Sequence, residues 1–132
     1  MRIRVSIFAT IILMSASTLA SAQSLYRCTI QDGVYFEAGK FVRNSLVSSR
    51  VSNYNPIIVD TVSGVFRRGN LAPQRWIIAQ RATSDAFFKA TMHAAPGMAN
   101  DRFTLKPQFT PITFVYYYED SMVFTGTCEV VN

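Results

Sequence analysis

The chain has 132 residues, 49% of them hydrophobic, 13% aromatic and only 16% charged, with a formal net charge of +5. That length allows one domain and excludes a multi-domain enzyme, and the aromatic load excludes a disordered chain. One histidine and two cysteines exclude most self-contained metal sites, and no motif names a reaction or a cofactor.

In chain order, the first 22 residues read as a signal peptide. Met1 to Arg4 is short and basic, Val5 to Met14 is an apolar run, and Ala20-Ser21-Ala22 fits the small-x-small pattern of a cleavage site. A spanning helix needs about 20 apolar residues, and this run stops well short. The expected mature protein is therefore a single β-rich domain over 23–132, without a membrane span. It is exported, to the periplasm or beyond the cell. Arg2 and Arg4 leave with the signal, which reduces 13 basic residues to 11 against 8 acidic ones and the net charge to +3.

The body of the chain reads as short β-branched and aromatic runs between turn residues. Leu25–Gln31 and Val34–Glu37 flank Asp32-Gly33, a dipeptide suited to a two-residue hairpin turn. Phe41–Val51 is the best helical candidate, with Val42, Leu46 and Val47 on one stripe, although serines at 45, 48 and 49 weaken it. Ile57–Thr61 and Val65–Arg68 flank Val62-Ser63-Gly64. Trp76–Ala82 and Ala86–His93 flank Thr83-Ser84-Asp85, and Ala94–Asp101 reads as an irregular loop or a single helical turn. Arg102–Lys106, Ile112–Tyr118 and Met122–Val131 complete the set. About eight short strands predict an all-β fold, either a small antiparallel barrel or a two-sheet sandwich.

The last two strands allow a register argument. A three-residue loop of Glu119, Asp120 and Ser121 opposes Tyr118 to Met122, Tyr116 to Phe124 and Ile112 to Cys128, all on one apolar face. A two-residue loop would mix the faces, so the odd-length loop is expected. Gly126 then stands opposite Phe114 and leaves room for the ring.

Cys28 and Cys128 lie near the two ends of the mature chain, each on the apolar side of an alternating strand. In an oxidising compartment they are expected to pair, joining the N- and C-terminal strands with Cα atoms within about 4.4–6.8 Å. Two free thiols are the competing reading; a redox pair is disfavoured because the spacing is nothing like C-x-x-C.

Candidate chemistry is sparse. His93 is the lone histidine and has no nucleophile motif beside it. Asp60 and Asp85 sit at turns, where carboxylates cap backbone amides. Glu119 and Asp120 are neighbours on a hairpin tip and diverge too far for a paired-carboxylate mechanism. Arg67, Arg68, Arg75 and Arg81 gather around Trp76, and that mixture suits a glycan, a phosphate or a nucleic acid. A solvated sheet surface is the favoured explanation of the arginines, since the adjacent Arg67 and Arg68 point to opposite faces, and a charge of +3 on an exported chain argues against nucleic acid. Tyr117 points away from the Tyr116/Tyr118 face, where it is either a contact residue or packed under a loop.

Ile57-Ile58-Val59-Asp60-Thr61-Val62-Ser63-Gly64, Arg68-Gly69, Trp76 and Gly126-Thr127-Cys128 together resemble a family of small exported proteobacterial proteins with the pattern I-V-D-x-x-T-G…R-x-G…W…F…G-T-C. Ser63 replaces the second threonine, and the central loop differs. The resemblance implies only export and a compact bridged domain, and carries no particular activity over to this chain. Ser63-Gly64-Val65-Phe66-Arg67 also matches the first two residues of the S-G-x-x-Y loop of periplasmic inhibitors of C-type lysozyme, without their second loop.

The expected function is a non-enzymatic binding or interaction module with a protein or glycan partner in the cell envelope. Arg68, Arg75 and Tyr117 are its candidate contacts. The alternatives are an inhibitor of a cell-wall-acting hydrolase, which would insert the Ser63-Gly64 turn into the enzyme's cleft, and a small hydrolase built around His93. N-terminal sequencing of the exported protein is expected to begin at Gln23; a chain that begins at Met1 would contradict the signal peptide.

Overall fold

The computed structural model describes residues 25–92, 100–119 and 121–132. The signal segment, His93 with most of the 94–101 loop, and Asp120 lie outside the described residues. The described residues form strands β1 (Leu25–Glu37), β2 (Lys40–Val42), β3 (Ile57–Asp60), β4 (Val65–Arg68), β5 (Gln74–Arg75), β6 (Ile77–Gln80), β7 (Phe88–Met92), β8 (Asp101–Lys106), β9 (Ile112–Tyr118) and β10 (Met122–Val130), with helix α1 (Ser45–Tyr54) between β2 and β3.

All strands join one antiparallel sheet in the order β5-β4-β3-β1-β10-β9-β8-β7-β6, with β2 attached to β1 alone. Its two edge strands, β5 and β6, are separated in sequence only by Trp76. The stretch Gln74–Gln80 therefore carries both edges, and the sheet curls into a nearly closed barrel. This settles barrel against sandwich. Curling also explains how so short a chain avoids long exposed edges.

With Gln74–Gln80 taken as one stave and β2 set aside, the barrel has eight staves, and the interior of such a barrel is just wide enough to be filled by side chains. Alternation along the strands turns Phe66, Trp76, Phe88, Phe103, Phe114, Tyr116 and Phe124 inward, and all are buried. Phe66 of β4 stacks on Trp76 at 4.1 Å between ring centroids and meets Phe103 of β8 edge-on at 5.1 Å. Since β4 and β8 are well separated around the sheet, that contact crosses the interior. Rings fill this space.

Cys28 and Cys128 form the expected disulfide, directly opposite one another on β1 and β10. Their Cα atoms are 3.9 Å apart, closer than the expected window, and the bridge joins register partners on adjacent strands. The last hairpin has the expected register, with Tyr118 opposite Met122, Tyr116 opposite Phe124, Gly126 opposite Phe114 and Cys128 opposite Ile112. A Cβ on Gly126 would collide with the Thr29 carbonyl oxygen and lie 2.9 Å from the Phe114 ring.

Three local expectations are corrected. Asp32-Gly33 is not a turn but lies within β1, beside a register shift between Ile30 and Asp32. Gly33 marks close approach: a Cβ there would stand 2.8 Å from the Phe124 ring and 2.9 Å from Val47 of α1. The turn falls at Ala38 and Gly39, both with positive φ (49° and 77°), as a two-residue hairpin loop requires. The helix starts later than expected, because Asn44 caps it by accepting the Val47 N–H at 3.0 Å. Its inner stripe is Val47, Val51 and Tyr54, and Leu46 is exposed. The strand expected over Trp76–Ala82 breaks at Trp76, whose N–H turns to the Gly64 carbonyl at 2.8 Å.

Replacing Cys28 by serine is expected to cost about 2–5 kcal/mol, since the bridge closes a loop spanning nearly the whole domain. Thermal melting with and without reductant checks this. An unchanged midpoint with two titratable thiols would mean that the bridge does not form in solution.

Candidate functional site

Alternation along β4 turns Arg67 outward and Arg68 inward, beside Phe66 on the same face. Gly69 ties the end of β4 to the end of α1, its N–H donating to the carbonyls of Tyr54 and Pro56 at 3.0 and 2.9 Å. Arg68 is thereby held against Tyr54, with its guanidinium carbon 4.8 Å from the ring centroid. Nη1 donates to the Tyr116 hydroxyl at 2.9 Å and lies 3.5 Å from Asp101 Oδ2; Nη2 donates to Gln74 at 3.3 Å. The Arg68 side chain is only 12% exposed. The expected surface contact is a buried strut.

Asp101 is the counterpart of this strut. It is 7% exposed and accepts from the Tyr116 hydroxyl at 2.7 Å through Oδ2 and from the Glu119 N–H at 3.0 Å through Oδ1. One carboxylate therefore ties β8 to β9, to the β9–β10 turn and, through Arg68, to β4. Burial pushes the Tyr116 hydroxyl well above the ordinary tyrosine range; the Arg68 charge opposes that rise, and Asp101 adds to it. Burial also raises Tyr118, with the Tyr54 and Glu119 side chains reinforcing the shift.

The other expected contacts do not converge on Arg68. Arg75 is exposed on the outer face of β5, opposite Val65. Tyr117, 39% exposed, is on the outer face of β9, with the Arg102 guanidinium 5.1 Å from its ring centroid. Strands β7 and β8 intervene between β6 and β9. Ser63 and Gly64 are committed to their turn. Asp60 accepts the Val62 and Ser63 N–H groups at 2.8 and 3.3 Å, as its position suggested, and the Ser63 hydroxyl accepts from Val65 at 3.2 Å. Gly64 is buried with φ +76°, and a Cβ would lie 2.5 Å from the Trp76 carbonyl oxygen. Val62 is the exposed tip of this turn.

A more prominent surface escaped the sequence reading. Phe36 and Phe41 are direct partners across the β1–β2 hairpin, 5.3 Å apart at their centroids. They are 50% and 69% exposed. The pairing of β1 with β10 ends at Tyr35 and Met122, so the rings stand beyond that ladder, on the ribbon's own tip. Among the described residues, strand β2 pairs only with β1. The signal was present in the spacing of two phenylalanines around Ala38-Gly39. Reading Asp32-Gly33 as the turn concealed it.

Among the described residues, no group of three or more His, Cys, Asp or Glu side chains could hold a metal ion, and no helix is long and apolar enough to cross a membrane.

Asp101→Ala would leave the Tyr116 hydroxyl buried without its acceptor and the Arg68 guanidinium without its carboxylate, and a loss of about 3–5 kcal/mol is expected by denaturant unfolding. The raised Tyr116 hydroxyl sets a pH dependence as well. Its folded pKa exceeds the unfolded value of 10.0, so its contribution is intact below that value and declines as pH rises above it. Tyrosinate absorbance of the wild type is expected to include a step that coincides with alkaline unfolding. Tyr116→Phe removes one tyrosine from that step. Comparison of the chain with known protein families, curated proteins and solved structures finds no match.

Proposed function

We propose that the protein is a non-enzymatic interaction module of the cell envelope and that it contacts a protein partner through the aromatic pair on the β1–β2 hairpin. The observation that carries this reading is the exposure of Phe36 and Phe41 on a barrel whose interior is already filled by rings. A fully buried phenylalanine contributes about 1.5–3 kcal/mol relative to an exposed one. Two adjacent rings therefore make an effective anchor for a complementary apolar groove. The disulfide is consistent with an oxidising, exported compartment. Inhibition through the Ser63-Gly64 turn gains no support, because both backbone groups of Gly64 are held inside the fold.

The test is site-specific photo-crosslinking in cells that export the protein, with the probe at position 41 and a control at Glu129 on the exposed face of β10. A discrete adduct from position 41, absent from 129 and abolished by Phe36→Ser, is expected. Because Phe36 is half exposed, the substitution should leave stability within about 0.5 kcal/mol. Identical adduct patterns at 41 and 129, or none at 41, would refute the hairpin as the contact.

A further inference from the structure

Helix α1 carries a second cation beside the buried strut. Arg50 lies one turn before Tyr54, with its guanidinium carbon 5.8 Å from the Tyr54 centroid and 5.7 Å from that of Tyr118. Arg68 stands over the same two rings, at 4.8 and 5.9 Å. Two guanidiniums thus share one pair of rings, and Asp101 forms its only ion pair among the described residues with Arg68. Among the described residues, Arg50 makes no ion pair within 4.0 Å and its buried Nε has no hydrogen-bond partner. Ring faces offset part of the desolvation of a cation but give an N–H group no lone pair to bond.

Arg50 does not face a closed interior. It lines a cleft of about 330 Å³ together with Ser52, Asn53, Tyr54, Asn70 and Leu71. Its guanidinium offers donors in a planar fork that matches an oxyanion, and Ser52, Asn53 and Asn70 add neutral hydrogen-bonding groups. We propose that this cleft binds a small oxyanion group, a carboxylate or a phosphate, as the counter-ion of Arg50.

The test is NMR titration of the Arg50 Nε–H resonance in the purified protein, with inorganic phosphate, glucuronate and neutral glucose added at constant ionic strength. Saturable shifts with phosphate or glucuronate and none with glucose are expected, and the relative affinity of the first two identifies the anion. Arg50→Gln should weaken binding at least tenfold, followed through neighbouring backbone amides. Arg50→Lys, which keeps the charge and loses the fork, should fall between. Asp120, outside the described residues, is tested by Asp120→Asn, which should leave the affinity within twofold. Binding that emerges only in Asp120→Asn would overturn the proposal, since Asp120 would then be the arginine's own counter-ion. Non-saturating shifts, or equal shifts in wild type and Arg50→Gln, would overturn it as well.

Discussion

The pairing of β1 with β10 is the constraint on which the rest of the barrel depends. These strands belong to opposite ends of the chain and must meet in one register for the inner face of each to match. The Cys28–Cys128 bridge lies within that ladder. A slip of one residue would turn Thr29 and Thr127 toward the rings in place of Ile30 and Gly126. The bridge also ties together two strands that the backbone joins only through the whole intervening meander, so it acts on the unfolded ensemble as well as on the folded register.

Strand β1 then has to serve three partners along its length. Its first residues pair with β3 on one side and β10 on the other, and its last residues pair with β2. Between these the register shifts, and Asn55 replaces a strand neighbour: its side chain accepts the Ile30 N–H at 2.6 Å and donates to the Ile30 carbonyl at 3.0 Å. One side-chain amide thus covers the gap where β3 has stopped, and α1 packs in over Gly33. The same helix brings Tyr54 onto Arg68. The buried polar network and the bulge in β1 are linked consequences of making room for α1.

The parts legible in the sequence were those governed by alternation. The β9–β10 register followed from the apolar faces of Ile112–Tyr118 and Met122–Val130, and the inward aim of both cysteines followed from their neighbours. The fold class followed from the number and length of such runs. What escaped were positions where a local signal competed with a distant contact. Asp32-Gly33 has the chemistry of a turn, yet Phe124 and Val47 claim the space over Gly33. Arg68 has the local context of a surface charge, although its parity with Phe66 marks it as inward-facing. An inward arginine is tolerable only with an acceptor such as Asp101, 33 residues away, and nothing local announces that partner. The Trp76 break has a similar origin, since one stretch must pair with β4 at its start and β7 at its end.

The segment from β2 through α1 is the one excursion, among the described residues, from an otherwise sequential meander of strands. It carries Phe41 at its start and Arg50 on its helix, and the remaining staves need neither residue to close the sheet. Ring packing occupies the interior, and strand alternation already assigns the inner residue of every stave to the core. An excursion is free of that assignment. Its hairpin can present rings to solvent, and its helix can carry Arg50 without an ion pair among the described residues, because neither choice disturbs the barrel beneath. Phe41 and Arg50 both lie on this segment because it is the part of the chain least determined by closure.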